Sequence, residues 1–476
     1  MLRGTIYLTF CLLIVIIGTA NAQGDFFGIA DNYLLGTQPF DICCADFDGI
    51  NGDDFAVVSQ NADFAYVYLN DGDGTFTYSN AYAAYDAPKS IVSADFDGIN
   101  GPDLAYVTYN NNRLIVRLND GDGTFDDVIR NMAVGSGDTR PQCVYAADFD
   151  GFNGPDIVTS NAGGSSVSVF FNVGDGTFTL PVNLTVGPNP SQLVAADFGG
   201  SSHPDIAVAT VIYDSLEILI NNGDSTFQPP ITYPAPTTSI GMDFADFDGI
   251  NGNDLILGSY NSVGLSLYLN NGDGTFADSV IVSSIVYPRS VACIDVDQDS
   301  NMDLVVPMEM RDSVAVFLGN GNGTFQAQDT YAAGDGPRGI EEGDFNGDAY
   351  PDIAIANLNG NDVSVFLNQE GPVDITDVSR NTLPDQFRLS QNYPNPFNPS
   401  TNIHFDLLKR SQVVISIYNM LGQQIKILAD EELPAGTYSV EWDGTNEECQ
   451  TVSTGVYLYN LEVDGFIETK KMMLLK

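Results

Sequence analysis

Apolar and polar residues alternate along most of this chain in short runs, and clusters of Gly, Asn and Asp break the runs. Residues 104–118 show the pattern: "LAYVTY", a polar turn at Asn110–Asn112, then "RLIVRL". A period of two predicts half-buried β-strands, and the intervening clusters predict hairpin turns. Two kinds of turn recur. One is acidic, as in "DFDGINGPD" (residues 95–103). The other is glycine-rich, "NDGDGTF" (residues 119–125), and returns as "NVGDGTF", "NNGDSTF", "NNGDGTF" and "GNGNGTF".

The acidic turn sets a register. Its first residue falls at Asp46, Asp95, Asp148, Asp197, Asp246, Asp295 and Asp344, spaced by 49, 53, 49, 49, 49 and 49 residues. Each unit holds four predicted strands in roughly 45–50 residues, the size of a propeller blade. The seventh unit stops at "VFLNQEGP" and lacks its fourth strand. The spacing that follows each "GTF" (Phe178, Leu184, Gly187, Pro190) also stands before the first unit, as Phe27, Tyr33, Gly36 and Pro39. An N-terminal strand is therefore expected to complete the last blade, closing a ring and removing an exposed sheet edge. A linear solenoid would leave that offset unexplained. The expected fold is all-β: a seven-bladed β-propeller over residues 23–369, a linker at 370–388, and a small Ig-like β-sandwich at 389–476.

These units resemble FG-GAP/VCBS repeats, a family that forms seven-bladed propellers similar to the integrin α-subunit head. The resemblance spans residues 27–369. It departs from the family pattern in the depleted fourth loop and in the Ile- or Phe-containing loops of repeats one, two, three and five.

Composition narrows the function. Against 63 Asp and Glu stand 17 Lys and Arg, a formal charge of −46. Such a chain repels nucleic acid and anionic membrane surfaces. Divalent cations are its natural counter-ions, although an acidic surface with no specific ion has the same composition. The opening "MLRGTIYLTFCLLIVIIGTANAQG" places Arg3 before an apolar run and ends in Ala20-Asn21-Ala22, which predicts a signal peptide over residues 1–22; an uncleaved anchor is the alternative. An exported monomer is expected. Cys43, Cys44, Cys143, Cys293 and Cys449 make no disulfide framework and read as small apolar residues.

The acidic loops carry the candidate chemistry. Calcium takes six to eight oxygens from carboxylates, amides, carbonyls and water. Ligands at positions one, three, five and nine suit it in the sixth repeat (Asp295, Asp297, Asp299, Asp303) and the seventh (Asp344, Asn346, Asp348, Asp352). Four other loops keep three carboxylates each: Asp46/Asp48/Asp54, Asp95/Asp97/Asp103, Asp148/Asp150/Asp156 and Asp246/Asp248/Asp254. Their fifth position is Ile or Phe, so the missing ligand is expected from the following Asn or a backbone oxygen. The alternative is a turn whose Asp side chains accept backbone N–H groups. The fourth loop, "DFGGSSHPD", is expected to hold no ion. With only His203 and His404 in the chain, histidine-based zinc or iron sites are excluded.

A second candidate lies where each first strand begins. That slot holds Phe40, Lys89, Gln142, Ser191, Ile240, Arg289 and Arg338, and takes three of the eight Lys and Arg residues between 23 and 369. In the resembled fold the slot rings the axial mouth. Lys89, Arg289 and Arg338 there could attract an anionic group, a uronate or an acidic peptide, or could simply neutralise neighbouring aspartates.

Beyond the linker, Tyr393-Pro394-Asn395-Pro396-Phe397-Asn398-Pro399, Tyr418-Asn419, Leu433-Pro434-Ala435-Gly436-Thr437-Tyr438, Gly455-Val456-Tyr457 and a basic end resemble the type A C-terminal sorting domain of the type IX secretion system. The resemblance implies handling by that machinery in a Gram-negative-type bacterium, then secretion or attachment at the outer cell surface. The expected function is an exported calcium-binding propeller that binds an extracellular glycan or protein ligand, or adheres. The competing expectations are a propeller-type polysaccharide lyase or hydrolase, and a structural spacer. No catalytic arrangement emerges from the sequence.

Overall fold

In the computed structural model the described residues are 26–368, except 29, 127–129, 136, 138, 262–263 and 286, and most of 388–474. The expected signal peptide and nearly all of the expected linker lie outside them. The chain divides into two units, Met1–Pro372 and Val373–Lys476. Both are all-β, with no α-helix among the described residues.

The first unit is a propeller-type assembly of seven four-stranded antiparallel sheets. The first sheet runs in order through Pro39–Ala45, Asp54–Ser59, Phe64–Asn70 and Phe76–Ala83. The second strand of every sheet is buried at every position. Neighbouring sheets cover both of its faces, which is why "DLAYVT" and "DLVVPM" read as near-continuous apolar runs. Fourth strands such as Val182–Thr185 stand at the rim and are largely exposed. The first strands lie side by side in chain order, and Pro39–Ala45 meets both Pro88–Ala94 and Pro337–Gly343, so the ring closes. At the closure Asp31–Leu34 pairs antiparallel with Asp362–Phe366.

Edge-to-face aromatic pairs tie six of the seven sheets to the next, the exception being the sixth, whose loop carries Val296 in place of Phe. The Phe after the first Asp of one acidic loop meets the "GTF" Phe of the following sheet: Phe47 with Phe125, Phe96 with Phe178, Phe149 with Phe227, Phe198 with Phe276, Phe247 with Phe325, and Phe345 with Phe76 across the closure. Their centroids lie 5.2–5.8 Å apart, the separation at which ring edge meets ring face favourably.

The second unit has two sheets. One holds Arg388–Leu389, Thr401–Leu407 and Gly436–Trp442; the other holds Gln424–Leu433, Ser411–Asn419, Gly455–Val463 and Phe466–Leu474. Trp442, Tyr459, Phe397, Ile415 and Leu474 share its core. The buried polar atoms are paired: Trp442 Nε1–H donates to the Thr445 carbonyl (2.9 Å), and Tyr459 Oη accepts from Asn392 N–H (2.8 Å).

Candidate functional site in the acidic loops and the axial mouth

The ninth residue of each acidic loop begins a second strand and is buried. Its two carboxylate oxygens bridge two turns. In the second sheet Phe96 N–H donates to Asp103 Oδ2 (2.8 Å) and Asn119 N–H donates to Asp103 Oδ1 (2.7 Å). Asp54, Asp156, Asp205, Asp254, Asp303 and Asp352 accept the same pair of bonds in their own sheets. The Asn that opens each glycine-rich turn then reaches back one sheet: Asn119 Nδ2–H donates to the Phe47 carbonyl (2.8 Å), and Asn70 Nδ2–H to the Phe345 carbonyl (2.9 Å), across the closure. Only the sixth sheet lacks this link, because Gly319 replaces the Asn.

The sequence pattern did not reveal this role for the asparagines. A usable signal was present: Asn70, Asn119, Asn172, Asn221, Asn270 and Asn368 each stand 16 residues after a ninth-position Asp. Burial raises the Asp103 carboxyl to about 7 against the pull of those two N–H donors, and Asp97 and Asp95 raise it further.

The first and third Asp stand at the surface end of the loop. Asp46/Asp48/Asp54, Asp95/Asp97/Asp103, Asp148/Asp150/Asp156 and Asp246/Asp248/Asp254 each bring three carboxylate oxygens within 4.8 Å of one another. The sixth loop gathers Asp295, Asp297 and Asp299 in the same way, with Asp303 outside the group. In the seventh, Asp344, Asn346 and Asp348 draw in loop N–H groups, with Asp348 N–H donating to Asp344 Oδ1 (3.1 Å) and Asn346 Oδ1 (2.9 Å). The fifth-position side chains Ile50, Ile99, Phe152 and Ile250 point outward and are more than half exposed. Their place in the loop is set by the backbone, as in Ile99 N–H to Asp97 Oδ1 (2.9 Å). The following Asn turns to the glycine-rich turn instead: Asn100 has a φ of 66° and donates to the Asn119 carbonyl (3.3 Å). In the fourth loop His203 Nδ1 is buried without a partner.

At the other end of the first strands, all seven slot residues line one cavity of about 110 Å³. Lys89 Nζ lies 3.9 Å from the Phe40 ring centroid and the Arg338 guanidinium 4.0 Å from it. Arg289 Nε and Arg338 Nε lie 3.4 and 3.9 Å from one oxygen, Glu309 Oε2. Lys89 Nζ donates to Gln60 Oε1 (3.0 Å). Burial, with the two arginines beside it, lowers the Lys89 ammonium to about 7; burial and Arg289 lower Arg338 to about 9, against Glu309. Glu309 was not singled out from the sequence. It stands six residues past a ninth-position Asp, as do Gln60, Tyr109 and Tyr260, so the repeat register marks a second ring around the mouth.

Below the mouth a second cavity of about 370 Å³ carries the opposite charge, with Asp41, Asp243, Glu341 and Glu342 in its wall. Glu341 and Glu342 line this lumen and keep part of their surface open to solvent. Burial raises Asp41 and Asp243 to about 6, and burial together with Asp41 and Asp243 holds Glu341 well above the usual carboxyl range. A carboxyl with a raised folded pKa is held best when neutral. The stability it contributes is complete below its unfolded value and is lost as pH rises through about 6. The double variant Asp41→Asn/Asp243→Asn is therefore expected to exceed the parent in stability by about 2 kcal/mol at pH 7.5. Its melting temperature should also change less than the parent's from about pH 5 to about pH 7.5. Parallel pH profiles for the two proteins would contradict this.

Comparison with known proteins places both units. A profile for the FG-GAP-like repeat matches residues 251–306 and 308–355, and a profile for the secretion system C-terminal sorting domain matches residues 391–475. The chain carries FG-GAP-like repeats and a C-terminal sorting domain. The sorting domain implies engagement with the type IX secretion machinery and delivery to the cell surface or beyond. Among the described residues no helix is long and apolar enough to cross a membrane. A search among curated proteins finds no match.

Among solved structures, BBS1N in complex with ARL6DN is similar to the repeat-bearing chain at a TM-score of 0.54 and 13% identity, over 72% of this chain and 98% of that one. An Agrocybe aegerita lectin that recognises non-reducing terminal N-acetylglucosamine gives a TM-score of 0.48 and 20% identity, over 68% and 87%. PorZ, a surface component of the type IX secretion system of Porphyromonas gingivalis, gives 0.46 and 14%, over 95% and 61%. The likeness to BBS1N is one of fold.

Proposed function

We propose that this chain is an exported, calcium-stabilised seven-bladed β-propeller that binds a ligand or adheres at the cell surface, delivered by an Ig-like sorting domain. The observation that carries the cation is the packing of three carboxylates within 4.8 Å in each of five loops. Uncompensated, such carboxylates repel one another, and a hard divalent cation relieves the repulsion. The candidate ligands are the first and third Asp with the ninth in loops one, two, three and five, Asp295/Asp297/Asp299 in loop six, and Asp344/Asn346/Asp348/Asp352 in loop seven. Binding is favoured over turnover, because the carboxylates that cluster among the described residues recur in periodic loops and so mark no single reaction centre.

Melting temperature measured in calcium and in chelator tests the cation. Millimolar calcium is expected to raise it by several degrees, since an ion that binds only the folded ring stabilises that ring. Asp97→Asn with Asp150→Asn should shrink the rise. Identical melting in calcium and chelator would defeat the proposal. A glycan and matrix-protein screen of the mature chain tests the binding role, and turnover of a screened glycan would favour an enzyme instead.

A further inference from the structure

The axial mouth holds more hydrogen-bonding capacity than the protein uses. The Arg289 and Arg338 guanidiniums make no hydrogen bond to any described residue; they approach Glu309 and lie over aromatic rings, and Arg338 Nε and Glu309 Oε2 are both buried without a hydrogen-bond partner. Buried donors left unmade cost the desolvation of each group. The side-chain amides of Gln142 and Gln192 line the same cavity and bond to no described residue either.

The charges do not cancel. With Lys89 protonated, Lys89, Arg289 and Arg338 outnumber Glu309 and Asp41 by one positive charge, on a chain of formal charge −46. Deeper entry of an anion is blocked by Asp243, Glu341 and Glu342 in the lumen below. A singly charged group is therefore accepted at the mouth and stopped there. The mouth's small volume admits the acidic group while the rest of a ligand stays outside, beside neutral amides and serines that match hydroxyls as both donors and acceptors.

We propose that the axial mouth binds the carboxylate of a uronic-acid residue in an otherwise neutral saccharide. Arg289 and Arg338 donate to the carboxylate, Lys89 supplies a third cation, and Gln142 and Gln192 bond the sugar hydroxyls. Two guanidinium forks suit a planar carboxylate better than ammonium groups would. The proposal rests on the ligand-binding reading above and names the chemistry of one site.

Titration calorimetry of the mature chain with cellobiouronic acid, cellobiose, a Gly-Gly-Glu peptide and inorganic sulfate tests it. Cellobiouronic acid is expected to bind at least about tenfold more tightly than the other three, the scale of one well-formed charged contact. Arg289→Gln and Arg338→Gln should each weaken it about tenfold or more without lowering the melting temperature. Arg289→Lys, which keeps the charge and loses the fork, should fall between. Should Arg→Gln variants fail to fold, Gln142→Ala remains, with an expected loss of a few-fold for the uronate. The proposal is overturned by no binding of cellobiouronic acid to the folded chain, by binding that the arginine variants leave intact, or by equal or tighter binding of the peptide or sulfate. A neutral glycan or matrix protein bound equally by parent and variants would overturn the mouth site while leaving the ligand-binding function standing.

Discussion

Replacing Asp205 by Ala is expected to destabilise the ring by about 3–5 kcal/mol, equally in calcium and in chelator. Asp205 belongs to the one loop whose third position, Gly199, offers no side-chain oxygen, so its effect separates architecture from ion binding. Its oxygens accept from Phe198 N–H (3.0 Å) and Asn221 N–H (2.7 Å), and the side chain is fully buried. Alanine leaves both donors without a partner in a place water does not reach. It also frees Asn221, whose Nδ2–H holds the Phe149 carbonyl of the preceding sheet at 2.8 Å. One truncation thus loosens a loop, a turn and the contact between two sheets. Denaturant unfolding at neutral pH is the measurement. Asp103→Ala should cost as much in chelator and more in calcium, because the second loop would lose an ion ligand as well. A loss under about 1 kcal/mol for Asp205→Ala would show that the two N–H groups find water and that the bridge is dispensable.

Much of this architecture can be read in the sequence because the repeat keeps a strict register. The period of 49 residues, the paired turns and the alternation place every second strand, and the offset of the repeat against the N-terminus locates the strand Asp31–Leu34 that pairs with Asp362–Phe366. The grouping of Lys89, Arg289 and Arg338 follows from the same register, since equivalent positions in a ring converge on its axis. What the pattern hides are partners that carry no side-chain identity. The Asn119 amide seeks the backbone carbonyl of Phe47, 72 residues earlier, and no residue type at Phe47 betrays it. Ile99 illustrates a second limit. Its type shows that the fifth ligand is missing, but only the fold shows that the side chain points to solvent while its N–H holds Asp97. The ninth-position Asp accepts backbone N–H groups, as an acidic turn would, and in four loops it also stands within 4.8 Å of two further carboxylates.

Deleting residues 26–36 is expected to lower the melting temperature by about 10 °C or more, the largest loss foreseen for any short change. This segment supplies what the last sheet lacks. Phe27 bridges Asn368 in the way that Phe125 bridges Asn119, and Asp31–Leu34 pairs along Asp362–Phe366. Phe26 and Phe27 are almost wholly buried, and Phe27 packs edge-on to Tyr331 and Phe366. On the other side Tyr33 meets Phe55, Tyr68 and Phe76 of the first sheet, so the strand cements both flanks of the closure. Without it the strand Asp362–Phe366 presents unpaired N–H and C=O groups beside an uncovered apolar face, which invites pairing with another chain. The truncated protein should therefore form oligomers in size-exclusion chromatography. A synthetic peptide of residues 26–36 added in excess should restore the parent's elution volume and much of the melting temperature, because a partner bound only by the folded state stabilises it. A truncated chain that elutes and melts like the parent would mean the ring is held by its inner strands and aromatic pairs alone. Rescue by the peptide would instead locate the closure energy in this strand, and Phe27→Ala in the intact chain should then cost about 3–5 kcal/mol by itself.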